Sequence, residues 1–237
     1  MENIQSLLIS SSLEYEIEVS ELQAQRFQQY MELLLEWNEK MNLTTITEPH
    51  EIVIKHFLDS LLILKYCDIP DGAKLIDVGT GAGFPGVPLK LMRSKMSLTL
   101  LDGLNKRLIF LKDILDKLSI SAELVHARGE EGGRQRPYRE GFDFATARAV
   151  APMNVLCEYC LPFLKFGGTF IAMKGPQPQE ELAAAKNAIG FLGCELSSVS
   201  EFELPSGDKR SLVFIKRIKP LAELYPRHGS KIKKNPL

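Results

Sequence analysis

Apolar residues recur along this chain in two periods, and the change from one to the other divides it. Behind a Ser20-Glu-Leu-Gln23 start that reads as a capping box, Phe27, Tyr30, Met31, Leu34 and Trp37 fall on one face at three-to-four spacing, which predicts a helix ending near Asn38. Asn42-Leu-Thr-Thr-Ile-Thr is an extended or turn segment. Pro49 then opens a second amphipathic helix to about Lys65, carried by Ile52, Phe57, Leu58, Leu61, Leu62 and Leu64. Beyond residue 70 the period shortens. Strands are predicted over 75–78, 97–101, 123–127, 142–146 and 168–173, with helices over 87–93, 104–118, 153–164 and 180–191 between them. The last two strand candidates, 194–200 and 211–216, have only a Pro205-Ser-Gly207 turn between them, which signals an antiparallel pair. The pattern predicts an α/β fold with a mostly parallel seven-stranded sheet closed by a C-terminal hairpin. Three regions follow: a helical extension over 1–70, a core over 71–219 and a tail over 220–237.

The first strand of that core runs into Asp77-Val-Gly-Thr-Gly-Ala-Gly83-Phe-Pro-Gly86. Glycines at alternate positions let the backbone turn with positive φ and let a ligand approach the main chain. The stretch fits both the dinucleotide pattern G-x-G-x-x-G and the D-x-G-x-G-x-G loop associated with S-adenosylmethionine. Charge separates the two. A pyrophosphate over a helix N-terminus wants a positive site, so a carboxylate at Asp77 is poorly placed for it, whereas it would stabilise the sulfonium and ammonium of S-adenosylmethionine. Asp102, at the end of the next strand, lies where an acid grips ribose hydroxyls in either case.

Net charge is −1, yet it is unevenly spread. Residues 1–50 carry Arg26 and Lys40 against nine acids, a balance of −7, whereas residues 205–237 carry nine basic residues against Asp208 and Glu223, a balance of +7. A basic tail points to a polyanion, most simply a nucleic acid. The N-terminus has no basic n-region and no apolar run long enough for a membrane span, so a soluble, cytoplasmic protein is expected. The cysteines at 67, 157, 160 and 194 follow no disulfide framework, and Cys157 and Cys160 read as buried reduced thiols; His50, His126 and His228 have no metal-binding spacing.

A mostly parallel sheet closed by a hairpin is the layout of class I methyltransferases, and six ordered motifs sharpen the likeness. Trp37-Asn-Glu-Lys-Met-Asn-Leu-Thr44, His56-Phe-Leu-Asp-Ser-Leu61, the Asp77 to Lys90 loop, Leu104-Asn-Lys-Arg107, Ala145-Thr-Ala-Arg-Ala-Val-Ala151 and Tyr225-Pro-Arg227 resemble the bacterial small-subunit ribosomal RNA methyltransferase G family, also called glucose-inhibited division protein B. The resemblance covers nearly the whole chain. It implies methyl transfer from S-adenosylmethionine to N7 of one guanine in 16S ribosomal RNA, naked or in the small subunit; a monomer is expected. Carried over, the cofactor contacts would be Gly79, Phe84, Gly129, Glu130 and Arg148, beside Asp102. Gly129 and Gly103 depart from the family's usual Ala and Ser at those positions.

Guanine N7 carries a free lone pair at neutral pH, so no general base is required and no catalytic residue is assigned. Lys106, Arg107, Lys174, Arg210 and Arg227, with Arg148, are candidates for phosphates flanking the target. Arg107 would equally pair with a nearby carboxylate, and His56 with Asp59 would tie the N-terminal helices to the sheet. Residues 132–139 read as a mobile basic loop. The alternatives are a methyltransferase of the same fold acting on another RNA or a small molecule, and a non-catalytic RNA-binding module.

Overall fold

In the computed structural model, which describes residues 3–237, the two periods become two layers of helix around one sheet. The strands are β1 (Lys74–Val78), β2 (Ser97–Asp102), β3 (Glu123–His126), β4 (Phe142–Arg148), β5 (Leu164–Lys174), β6 (Cys194–Glu203) and β7 (Lys209–Arg217). They are ordered β3-β2-β1-β4-β5-β7-β6; β1 to β5 pair parallel, and β7 runs antiparallel to both β5 and β6. The expected hairpin is therefore present, with its second strand inserted and its first left at the edge. The chain leaves β1 towards β2 and β3, then returns to β4 on the other side of β1. That reversal opens a crevice at the carboxyl ends of β1 and β4, where ligands of open α/β sheets bind.

One face is covered by α1 (Ile4–Leu13), α2 (Glu21–Met41), α6 (Gly86–Met92) and α7 (Asn105–Lys117), whose buried Phe27, Tyr30, Leu34, Leu89, Phe110 and Leu111 share a core with Leu75 and Leu100 of the sheet. The capping box of α2 is formed as read, with Ser20 and Gln23 bonded reciprocally. α2 runs past Asn38 to Met41 and stops at Asn42 in the left-handed conformation.

The second helix is interrupted. α3 (Pro49–Ile52) passes through a π-helical turn, Val53–Leu58, into α4 (Asp59–Leu61) and α5 (Ile63–Tyr66). π-turns inside helices mark functional sites, and this one carries His56 and leads into Asp59.

The other face is covered by α8 (Gly129–Gly132), α9 (Met153–Cys160), α10 (Gln179–Phe191) and α11 (Gly229–Lys234). α9 ends sooner than its apolar pattern, because Pro162 turns the chain through the 3-10 segment Leu161–Phe163 into β5. The basic stretch expected to be mobile and the basic tail are both tied down. Arg139, in the 132–139 stretch, donates to the carbonyls of Tyr225 and Ala222. The 220–237 tail closes over this face, with Ile232 wholly buried. Among the described residues no helix is long and apolar enough to cross a membrane.

Candidate functional site

The glycine loop is shaped by contacts with what surrounds it. Gly83 has φ +99, and a Cβ there would meet the Tyr30 hydroxyl oxygen at 2.6 Å, so α2 packs where only glycine leaves room. Tyr30 donates to the Ala82 carbonyl, which holds the loop from the helical side.

Asp77 holds it from beneath. Its carboxylate accepts from Thr80 Oγ1 at 2.6 Å, the Gly86 amide at 3.1 Å and Thr146 Oγ1 at 2.9 Å, and burial pushes it above the usual carboxylate range. Asp77 therefore staples β1, β4 and the start of α6 together. The charge that seemed suited to a cationic ligand faces inward.

Above the loop lies a cleft of about 500 Å³, within the range of small-molecule sites. Val78, Leu101, Val155 and Tyr159 give it an apolar lining, and Gly79, Gly103 and Gly129 bare its backbone. Gly79 has φ +70 and faces Val150 so closely that a Cβ would come within 2.7 Å of Cγ2. At Gly129 a Cβ would lie 3.0 Å from Tyr159 Cβ, a packing reason for glycine at this position. Glu130, only 7% exposed, is the one carboxylate in the lining. A cradle of bare glycine backbone, an apolar floor and one buried acceptor fits an adenosyl group.

The remaining sequence candidates divide. Asp102 lies beside the cleft rather than in its lining, accepting from the Gly81 amide at 2.9 Å, the Leu104 amide at 2.8 Å and Arg107 at 3.2 Å. A carboxylate offers about four lone-pair sites, so these donors do not exhaust it. Phe84 sits in the core, its ring stacked on His56 at 4.6 Å and on Tyr30 at 5.4 Å. Its outer contact is the Arg148 guanidinium, 4.8 Å from the ring centroid. Phe84 supports the site from below.

Arg148 leads to a second pocket, of about 400 Å³, lined by Lys55, His56, Asp59, Ala149, Lys174 and Arg210 among others. Its guanidinium donates to Asp59 Oδ2 at 3.2 Å and the Lys55 carbonyl at 3.3 Å, and lies 3.3 Å from His56 Nδ1. Burial, and then this neighbouring charge, hold the His56 pKa down to about 3, so the ring is neutral; Thr44 Oγ1 pairs with its Nε2 at 2.8 Å. Burial raises the Asp59 pKa, and Arg148 and Arg210 pull against that. Lys174 donates to the Ala151 carbonyl at 2.9 Å and to Glu181 at 2.6 Å. Ala149 takes φ +56, a conformation that side chains seldom adopt. The turn it makes presents Ala149 to the second pocket, while Val150 and Ala151 line the cleft. Both cavities thus share one short stretch of chain after β4.

Three basic candidates lie apart from this pocket. Arg107 is paired with Asp102, and Lys106 is exposed at the start of α7. Arg227, expected on a polyanion surface, grips the wholly buried carboxylate of Glu158. Sequence reading passed over Lys55, Tyr159 and Glu158, and counted Lys233, which lines the cleft, with the basic tail. Glu158 did leave a trace: a lone acid in Val155-Leu-Cys-Glu-Tyr-Cys160 needs a cation. The cysteines at 157, 160 and 194 are buried free thiols that burial pushes up, Cys194 to about 12. Among the described residues no group of three or more acids, histidines and cysteines could hold a metal.

Comparison with known proteins bears on the fold and the family. The chain is similar in fold to TrmN from Thermus thermophilus (TM-score 0.54, 16% identity, 68% of this chain and 48% of that one). It is similar also to a 16S rRNA (adenine(1408)-N(1))-methyltransferase mutant from Catenulisporales acidiphilia (TM-score 0.54, 11% identity, 63% and 87%). In sequence it is 48% identical over 233 residues to the ribosomal RNA small subunit methyltransferase G of Thermoanaerobacter sp. (strain X514), covering 98% of this chain and 97% of that one. It is 43% identical to the protein of the same name from Desulforamulus reducens, over the full length of both. The family model described as rRNA small subunit methyltransferase G matches residues 23–213, and the chain belongs to that family.

Proposed function

We propose that this protein transfers a methyl group from S-adenosylmethionine to N7 of a guanine in 16S ribosomal RNA. The observation that carries the reading is the pair of cavities joined by residues 148–151: a glycine-floored cleft of adenosyl size beside a pocket ringed by cations. When bound, S-adenosylmethionine supplies a methyl carbon made electrophilic by its sulfonium, open to displacement by the N7 lone pair. Gly79, Gly129 and Glu130 would hold it in the cleft, and Asp102 would meet the ribose from the end of β2.

The second pocket takes the nucleotide. Arg148, Lys174 and Arg210 meet its phosphates; for Lys174 and Arg210 the competing carboxylates stand at the rim, the side chains of Glu181 and Asp208 being 44% and 36% exposed, whereas Arg148 is paired with the buried Asp59. Lys106 extends the same charge towards flanking RNA. No general base is called for, and the one histidine of the pocket suits that: with a pKa of about 3, His56 neither gains nor gives a proton near neutrality. The product base is cationic, and Asp59 stands in the pocket where a carboxylate favours that developing charge.

The test is to incubate the full chain with methyl-labelled cofactor and either deproteinised 16S RNA or intact small subunits, then map the label. Label at one guanine N7 supports the reading. Label on another atom or another RNA class overturns it.

A further inference from the structure

Charge alone reads the C-terminus as a tail for polyanions, but the structure builds it into the cofactor cleft. Arg139 fastens the Tyr225 carbonyl, Arg227 binds Glu158, and Ile232 of α11 is wholly buried in the core of this face. α11 starts against Glu130, which lines the cleft: a Cβ on Gly229 would overlap Glu130 Oε1, so a side chain there would displace that carboxylate. Lys233 is four residues on from Gly229, hence on the same helix face, and it lines the cleft. Lys231 and Lys234 carry the same charge on the same helix and do not.

We infer that residues 225–234 are the closing wall of the cofactor cleft and that Lys233 is a cofactor-binding residue rather than part of an RNA-binding tail. The inference rests on the cleft being the S-adenosylmethionine site. An adenine edge carries an amine donor flanked by ring-nitrogen acceptors. The Glu130 carboxylate offers acceptors, and Lys233 donates only. An acceptor and a donor in the same cleft suit that edge: Glu130 would accept from the amine and discriminate against a purine lacking it, and Lys233 would donate to a ring nitrogen. Because a ligand held by both walls stabilises their contact, binding and docking of the C-terminal segment strengthen each other.

Lys233 and Lys234 are both exposed, so their replacement leaves the core intact and serves as a matched pair. S-adenosylhomocysteine is titrated calorimetrically into the wild-type chain, Lys233→Ala and Lys234→Ala, with the binding of a 16S RNA fragment measured alongside. Loss of a charge-assisted contact predicts about tenfold weaker binding for Lys233→Ala, and Lys234→Ala within twofold of wild type. Hydrogen exchange of residues 225–234 should slow on adding S-adenosylhomocysteine. Equal cofactor affinities in the two variants would overturn the inference, as would weaker RNA binding by Lys233→Ala with cofactor binding intact. If the wild-type chain fails to bind S-adenosylhomocysteine at all, the cofactor reading itself falls, and this inference with it.

Discussion

Arg227→Met tests whether the C-terminus is part of the folded core or an accessory to it. Glu158 is 0% exposed, and its carboxylate is served by one residue: the Arg227 amide at 2.6 Å, Nε at 2.9 and 3.0 Å, and Nη2 at 2.7 Å. Methionine keeps the amide and much of the apolar stem while removing the guanidinium. A buried carboxylate then loses its counter-charge and all but one donor, a change that costs about 3–5 kcal/mol. For a chain of this size that lowers Tm by roughly 6–20 °C. Pairing Arg227→Met with Glu158→Leu removes both charges and should recover most of the loss, because an apolar replacement of the whole pair leaves no charge buried alone. Urea unfolding of wild type, both single variants and the double at pH 7.5 gives the coupling energy directly. We expect at least about 2 kcal/mol of coupling. Arg227→Met within about 0.5 kcal/mol of wild type, the range of an ordinary surface change, would refute the reasoning.

Three further outcomes follow from the site. The His56 pKa is about 3 in the fold against an ordinary 6.5, so below pH 6.5 the unfolded chain takes up a proton that the native state refuses. Stability is whole above that value and falls with pH, by about 2 kcal/mol at pH 5. Urea midpoints at pH 7.5 and 5.0 should show His56→Gln losing less than wild type over this interval, and equal losses would contradict the burial of a neutral ring. Gly79→Ala forces a Cβ into a positive-φ position against Val150, costing about 1–3 kcal/mol and weakening S-adenosylhomocysteine binding about tenfold or more by calorimetry; unchanged affinity would move the cofactor elsewhere. Arg210→Gln should weaken RNA binding and reduce its salt slope by about 1 while leaving cofactor affinity alone, and an unaltered slope would take Arg210 off the phosphates.

Much of the architecture was legible because it is written locally. The capping box at Ser20 and Gln23, the strand candidates and the closing hairpin each depend on a few neighbouring residues, and each is found. Gly79, Gly129 and Glu130 came from the family's motifs, which are short runs of neighbouring residues, and all three line the cleft. Assignments that turned on distant partners fared differently. Asp77 reads as a ligand for positive charge until Thr146 and Gly86 are seen bonded to it. Arg148 sits among apolar residues in the sequence, yet its partners Asp59 and His56 come from the interrupted second helix, which delivers them to a pocket of their own.

By itself, then, the sequence determined the elements, the glycine loop and the family's motifs, because periodicity, capping and turn chemistry act over a few residues of chain. Only the tertiary structure decided which charges face a ligand and which face each other. Glu158 and Arg227 are 69 residues apart, and they meet because α9 and the C-terminal segment cover the same face of the sheet. A buried charge must find its counterpart wherever the fold brings one. The basic C-terminus that composition offered to RNA is therefore divided by packing: Arg227 is held inside, Lys233 faces the cleft, and Lys231 and Lys234 are left to solvent.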